Sequence, residues 1–482
     1  MAGKNKKTGH SRKQQKVRKE VEDKTTRKPQ EQSQEKTNIK KKPETKVKGW
    51  IEQLFVESIF LDSSPAFLCY NQTTKEIEVN YELEDEFGHY IPLPRNSYGY
   101  DPYSFSIEEI KELTSSEITK ESLLDEISEI VELHLYANEI IKHLVTGDIL
   151  FTYCQEWITT THYIYAVGET GSGKSTLTLH FKNLGYRCLY GANIPYANIY
   201  NFLGKDEEGA GTIAEDEAQS IGDDKRKITI YKNSYNKGSR QPIVDVKNGR
   251  KQIFYWTFCF KAFSGELLPN DKGLLERLAV CFMMQGIPKK NIKKPSPDDK
   301  ERMRKLRNRL LVWKLQNIEK GIPYSPSVQV GRDEELYEDY LKIMSGTKYE
   351  EQSKKVVEYF TRQRHERIWN STEAKVFRLV LKVLKQNNQV YFQDLWNAFL
   401  EGSEISVEQQ NGSYVDRDTG QKINPNFLSK TLVEKFRSRK MVKIEFYDDN
   451  DGKKKQRRIT YYVLDEKDIV ELTKKYNIEN SE

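Results

Sequence analysis

Gly168-Glu169-Thr170-Gly171-Ser172-Gly173-Lys174-Ser175, followed by Thr176, is a run whose residue types suit one task, cradling a polyphosphate. Its glycines let the backbone wrap close to phosphate oxygens, and amides at the start of a following helix point at them. Lys174 is placed to reach the β- and γ-phosphates, and the Ser175 hydroxyl to bind Mg²⁺. ATP and Mg²⁺ are therefore the expected ligands of residues 168–176. A decorative Gly-rich turn is the alternative, and the flanks argue against it. Tyr163-Ile164-Tyr165-Ala166-Val167 reads as a buried strand, and residues 175–183 read as a helix ended by Gly185.

Hydrolysis also needs carboxylates, one to hold the metal shell and one to polarise the attacking water. Gly211-Thr212-Ile213-Ala214-Glu215-Asp216-Glu217-Ala218 supplies them about 40 residues downstream, with Asp216 as the metal-shell residue and Glu217 as the general base. The match to a Walker B strand is imperfect, because Glu215 occupies a position that is usually apolar. An acidic surface turn is the competing reading. The strongest β-run, Phe254-Tyr255-Trp256-Thr257-Phe258-Cys259-Phe260, leads to Ser264, a candidate for sensing the γ-phosphate. Arg277 could complement transition-state charge in its own or a neighbouring subunit, or be an ordinary surface arginine.

The elements that must position these residues follow from composition. A chain of 482 residues suggests about three folded units. With 31% charged residues and no apolar run of the ~20 needed to cross a bilayer, a soluble, cytoplasmic protein is expected, nucleoid-associated if prokaryotic, with no membrane partner. The five cysteines are scattered and suggest buried thiols, neither a disulfide framework nor a zinc site. Residues 1–48 hold 17 Lys/Arg against 6 Asp/Glu, a local charge of +11 that leaves the rest of the chain at −5 within the total of +6. With so little apolar content this segment is expected to be disordered, either as a nucleic-acid-binding arm or as a solubilising tail.

Residues 49–150 read as an α+β module, with a strand near residues 76–81 and one long amphipathic helix over residues 122–144. Residues 151–285 alternate apolar strands with helical segments, the signature of a parallel sheet in an α/β core. Gly286-Ile287-Pro288-Lys289-Lys290 and the lysines and prolines after it read as an exposed loop or linker. Residues 286–368 are a helical lid or bridge.

Residues 369–482 carry a different pattern. A helix over residues 372–384 with Ser371 as N-cap, a second near residues 392–400, and a third opened by Asn424-Pro425 precede two alternating strands around Asn450-Asp451-Gly452. Three helices and a hairpin is the winged-helix order, in which the third helix enters the major groove and the wing meets the backbone. Lys430, Lys435, Arg437 and Arg439 lie along that helix and its end, and Lys453, Lys454, Lys455, Arg457 and Arg458 cluster at the hairpin tip. DNA contact is the expected use of these cations, with protein contact as the alternative.

The order of motifs from Tyr163 to about Gln285 resembles the P-loop ATPase domains of primase-helicase-like proteins of plasmids, phages and other mobile elements. The shared pattern includes the GETGSGKST loop, Leu184-Gly185-Tyr186-Arg187, residues 211–218, Asn233-Ser234-Tyr235-Asn236-Lys237-Gly238-Ser239-Arg240 and Leu275-Glu276-Arg277. It covers about a quarter of the chain. The resemblance implies a RecA-like or AAA+ core that assembles into a homo-oligomeric ring, with nucleotide between subunits and DNA in the channel. The sequence thus suggests an ATP-dependent DNA motor of replication, a helicase or helicase-like protein. An ATP-switched initiator that does not unwind and a P-loop kinase are the competing classes.

Overall fold

The computed structural model describes residues 42–204, 207–245, 249–321, 331–402, 404–410, 413–448 and 453–478. Most of the basic N-terminal segment and the turn Asn450-Asp451-Gly452 lie outside these residues. The chain from Glu44 onward forms one compact unit.

Its centre is a five-stranded parallel sheet. Across the sheet the order is Cys188–Ala192, Thr212–Asp216, Lys261–Gly265, Tyr163–Val167 and Leu278–Phe282. Tyr163–Val167 is buried at every position, so this strand reads as a continuous apolar run rather than an alternation. The helix Lys174–Leu184 follows it and buries Leu177, Phe181 and Leu184. Phe181 stacks on Phe260 with ring centroids 5.3 Å apart.

The strongest β-run in the sequence does not become a core strand. Lys251–Trp256 pairs antiparallel with Arg240–Asp245 in a separate hairpin, and the central strand is the shorter Lys261–Gly265. Aromatic content marks strand propensity but does not say which sheet a strand joins.

The N-terminal module begins inside the segment expected to be disordered. Glu44–Lys46 pairs in parallel with His89–Pro92, and Lys48–Ile51 opens an antiparallel sheet with Leu54–Leu61, Ser64–Asn71 and Ile77–Asn80. Burial of Lys48 against Glu156 outweighs the local charge pattern. The single helix expected over residues 122–144 is two helices, Lys120–His134 and Glu139–Thr152. The break comes from Asn138, whose side chain accepts from the Ile141 amide as the N-cap of the second helix.

Glu139–Thr152 runs on into the P-loop core, and one continuous apolar core reaches from Phe55 to Phe360. The two parts are also joined by buried ion pairs. Glu57 meets Arg187 and Lys314, and Glu156 meets Lys48 at 2.6 Å and Lys314 at 2.8 Å. Burial opposes the charged form of Glu156, but the two lysines outweigh it and hold the carboxyl at about 2.

Helices Pro297–Gln316, Arg332–Met344 and Glu350–Trp369 follow. Beyond them Thr372–Val383, Phe392–Leu400 and Pro425–Lys430 build a second core with the hairpin Arg439–Asp448 and Lys454–Val463. Gln389–Tyr391 adds a third strand at the hairpin's root. The polar insert after residue 400 forms a small sheet of its own, Val407–Gln410, Ser413–Asp416 and Lys422–Ile423. All five cysteines are buried and free. Among the described residues, no helix is long and apolar enough to cross a membrane.

Candidate functional site

The P-loop lies at the C-terminal end of a central strand, where helix Lys174–Leu184 begins. Its glycines are there for two different reasons. A Cβ on Gly168 would stand 2.5 Å from the Met283 carbonyl oxygen, so only glycine lets the neighbouring chain approach. Gly171 and Gly173 adopt φ of 84° and 87°, in the left-handed region that a side chain disfavours. Lys174 Nζ donates to the carbonyl oxygens of Gly168 and Glu169, both at 2.7 Å, which holds its ammonium over the loop.

Two strands away from the P-loop strand, Asp216 ends Thr212–Asp216, with Lys261–Gly265 between them. The intervening strand supplies Ser264, fully buried, whose hydroxyl donates to Asp216 Oδ1 at 2.5 Å. The same hydroxyl lies 3.5 Å from Thr178 Oγ1 on the P-loop helix. Ser264, the candidate for sensing the γ-phosphate, contacts the carboxylate of Asp216 in this structure. Asp216 and Ser175 line one cleft of about 880 Å³, together with Lys182, Lys293, Lys294 and Lys300. A hydroxyl and a carboxylate sharing a cation-rich cleft beside a glycine cradle fit Mg²⁺ bound to a polyphosphate.

Glu217 follows Asp216 directly and is exposed, with φ of 55°. Its amide donates to Asp216 Oδ1 at 3.1 Å. Glu215, the residue that spoiled the motif, is fully buried. Successive side chains of a strand point to opposite faces, and Glu215 accepts from Lys227 and from Tyr231 Oη at 2.6 Å. It also accepts from the Ile194 amide at 3.2 Å. Its task is to anchor helix Lys225–Asn233 to the sheet. Burial raises its carboxyl pKa, against the pull of Lys227.

Arg277 is not brought beside the P-loop. The Tyr163 amide donates to its carbonyl oxygen, which places it at the N-terminal end of the sheet. The P-loop leaves the other end, about 15 Å away along a five-residue strand. Arg277 is 9% exposed, donates to the Gly273 carbonyl oxygen and lies 4.1 Å from the Tyr235 ring centroid. Within one chain it cannot reach the phosphates.

Sequence reasoning missed one wall of the site. Residues 286–294, read as an exposed loop or linker, border the P-loop. Tyr136, Ile287, Pro288, Asn291 and Lys293 line a second cavity of about 310 Å³ with Gly171, Gly173, Lys174 and Thr176. A Cβ on Gly286 would come within 2.0 Å of the Tyr136 ring. The lysines and prolines were legible, but the fold back onto the P-loop depends on long-range packing. The Lys290 amide donating to the Leu133 carbonyl oxygen and the burial of Ile292 hold it there.

Several of the cations chosen for DNA contact are held in ion pairs. Arg437 Nη1 meets Asp468 at 3.1 Å and Glu471 at 3.0 Å, Arg457 meets Glu445 at 2.8 Å, and Lys430 stands 3.8 Å from Glu434. Lys435, Lys453, Lys454, Lys455 and Arg458 are exposed.

No family model matches this chain, and no curated protein does. Among solved structures it is similar to the apo NrS-1 C-terminal region (residues 305–718), at 13% identity and a TM-score of 0.32, covering 85% of this chain and 96% of that one. It is also similar to a full-length MCM homolog from Methanopyrus kandleri, at 10% identity and 0.32, covering 64% and 74%. A third likeness is to the SCCmec type IV Cch active helicase, at 11% identity and 0.30, covering 89% and 79%.

Proposed function

We propose that this chain binds ATP with Mg²⁺ and hydrolyses it to power a helicase-like motor on DNA, in the replication of a mobile element and as a homo-oligomeric ring. The observation that carries the hydrolase reading is the shared cleft of Ser175 and Asp216, with Asp216 fixed by the buried Ser264 hydroxyl. Residues 168–176 hold the phosphates, while Ser175 and Asp216 hold the metal directly or through its water shell. Mg²⁺ there would neutralise charge on the β- and γ-phosphates. Glu217, exposed next to Asp216 and held in a left-handed conformation, takes the proton from the attacking water. Tyr136, Ile287 and Pro288 offer an apolar wall for the base.

DNA as the target rests on the C-terminal unit, read as a winged helix with an inserted sheet, and on its exposed cations. Arg277 enters this scheme only from a neighbouring subunit, at an interface that would have to free it from Gly273 and Tyr235. An ATP-switched initiator remains the second reading, favoured by the same basic unit if the chain binds DNA but does not unwind it. The test is ATP hydrolysis with and without single- and double-stranded DNA, beside Lys174→Ala. DNA stimulation that disappears in the variant is expected. Full turnover in Lys174→Ala sinks the hydrolase assignment, and unwinding of a forked duplex separates motor from switch.

A further inference from the structure

The hairpin Arg439–Asp448 and Lys454–Val463 projects beyond its core as two strands of ten residues each. Residues opposite one another in antiparallel register share a face, as do alternate residues along each strand. One face therefore carries Val442, Ile444 and Phe446, opposite Thr460, Arg458 and Gln456 respectively. Toward the root the same face reaches Tyr462, which is buried, with its hydroxyl 2.5 Å from Ser429 Oγ on the third helix. The face is thus turned to the side on which that helix lies.

Its apolar residues have no cover. Val442, Ile444 and Phe446 are 40%, 59% and 73% exposed. A row of this kind normally marks a contact surface. Ion pairing on the hairpin differs between the two faces. On the other face Glu445 is occupied by Lys443 at 2.6 Å and Arg457 at 2.8 Å. On the apolar face Lys440, Arg458 and Lys454 form no ion pair among the described residues, although Asp448 stands opposite Lys454 at the outer end. Uncommitted cations flanking an exposed aromatic ring match a nucleic-acid strand, whose phosphates meet the cations while a base stacks on the ring. A protein partner would instead call for acidic groups opposite the same cations.

We propose that this face binds unpaired nucleic acid, with Phe446 stacking on an exposed base and Arg458 and Lys440 meeting the phosphates. The inference rests on the DNA-binding part of the proposed function and goes further in naming single-stranded character and the stacking residue. Stacking needs a free base face, which an intact duplex does not offer.

The test uses the full chain as wild type, Phe446→Ala and Phe446→Trp, with fluorescence anisotropy on a labelled 20-nucleotide oligo-dT and a blunt duplex of equal length. Alanine is expected to weaken oligo-dT binding about tenfold, tryptophan to restore it, and duplex binding to change less than twofold. Phe446 is exposed, so its truncation leaves the core intact. If wild type binds and Phe446→Ala binds oligo-dT equally well, the stacking proposal falls while DNA binding stands. If wild type binds neither probe, the DNA reading falls and takes this inference with it. A change of oligomeric state in sedimentation velocity with no loss of oligo-dT affinity identifies the face as a subunit contact and overturns the proposal.

Discussion

Ser264→Ala is the most discriminating change in the proposed nucleotide site. The hydroxyl is fully buried and makes a hydrogen bond of 2.5 Å to Asp216 Oδ1. Hydrogen bonds to charged groups contribute about 1.5–3 kcal/mol. Alanine removes that donor, while the Glu217 amide, at 3.1 Å, still contacts the same oxygen. Asp216 is therefore loosened rather than abandoned. If its role is to hold the metal shell against Ser175, the loss falls on the reacting geometry. A fall in kcat on the order of 10- to 100-fold is expected, with KM for ATP changed little. The apparent Mg²⁺ requirement should rise in parallel, a change that a general loss of packing would not produce. Steady-state hydrolysis over a Mg²⁺ titration, with thermal unfolding as a control for folding, reads all of these. Turnover within twofold of wild type at every Mg²⁺ concentration would refute the assignment of Asp216 to the metal.

Three further outcomes follow from particular contacts. Glu215→Gln leaves Lys227 buried without its carboxylate, so a loss of about 3–5 kcal/mol is expected in urea unfolding; an unchanged midpoint contradicts the anchoring role. Tyr136→Ala removes the apolar wall beside Gly286, and KM for ATP is expected to rise several-fold with a smaller effect on kcat; the reverse pattern would remove the tyrosine from the base site. Glu156 has a folded-state pKa of about 2 against an ordinary 4.5, so its stabilisation is complete above pH 4.5 and is lost as pH falls toward 2. That contribution is on the order of 3 kcal/mol. Urea midpoints for wild type should fall more steeply between pH 4.5 and 3 than those of Glu156→Gln, and parallel slopes would disprove it.

Local chemistry made much of the site readable. The P-loop, its strand and its helix are set by glycine placement and a short apolar run, interactions within about 20 residues of each other. The same holds for the N-caps at Ser371 and Asn424, each of which accepts the amide three residues on. The Asn138 cap was equally local but was overlooked inside a strong helical periodicity. The two hairpin strands were also legible from alternation, although which of their faces stays uncovered was not.

What the sequence determined by itself was the glycine-rich turn between a buried strand and a helix and the presence of acidic residues downstream of it, because those depend on residue type and near-neighbour spacing. Tertiary structure decided which acid points where. Alternation along Thr212–Asp216 buries Glu215 against Lys227 and leaves Asp216 for the cleft, and only the intervening strand Lys261–Gly265 brings Ser264 to Asp216. It also folded the segment read as an exposed loop or linker back as a wall of the site and placed Arg277 at the far end of the sheet. Those outcomes depend on strand order and on contacts between residues far apart in the chain, which spacing along the sequence does not encode.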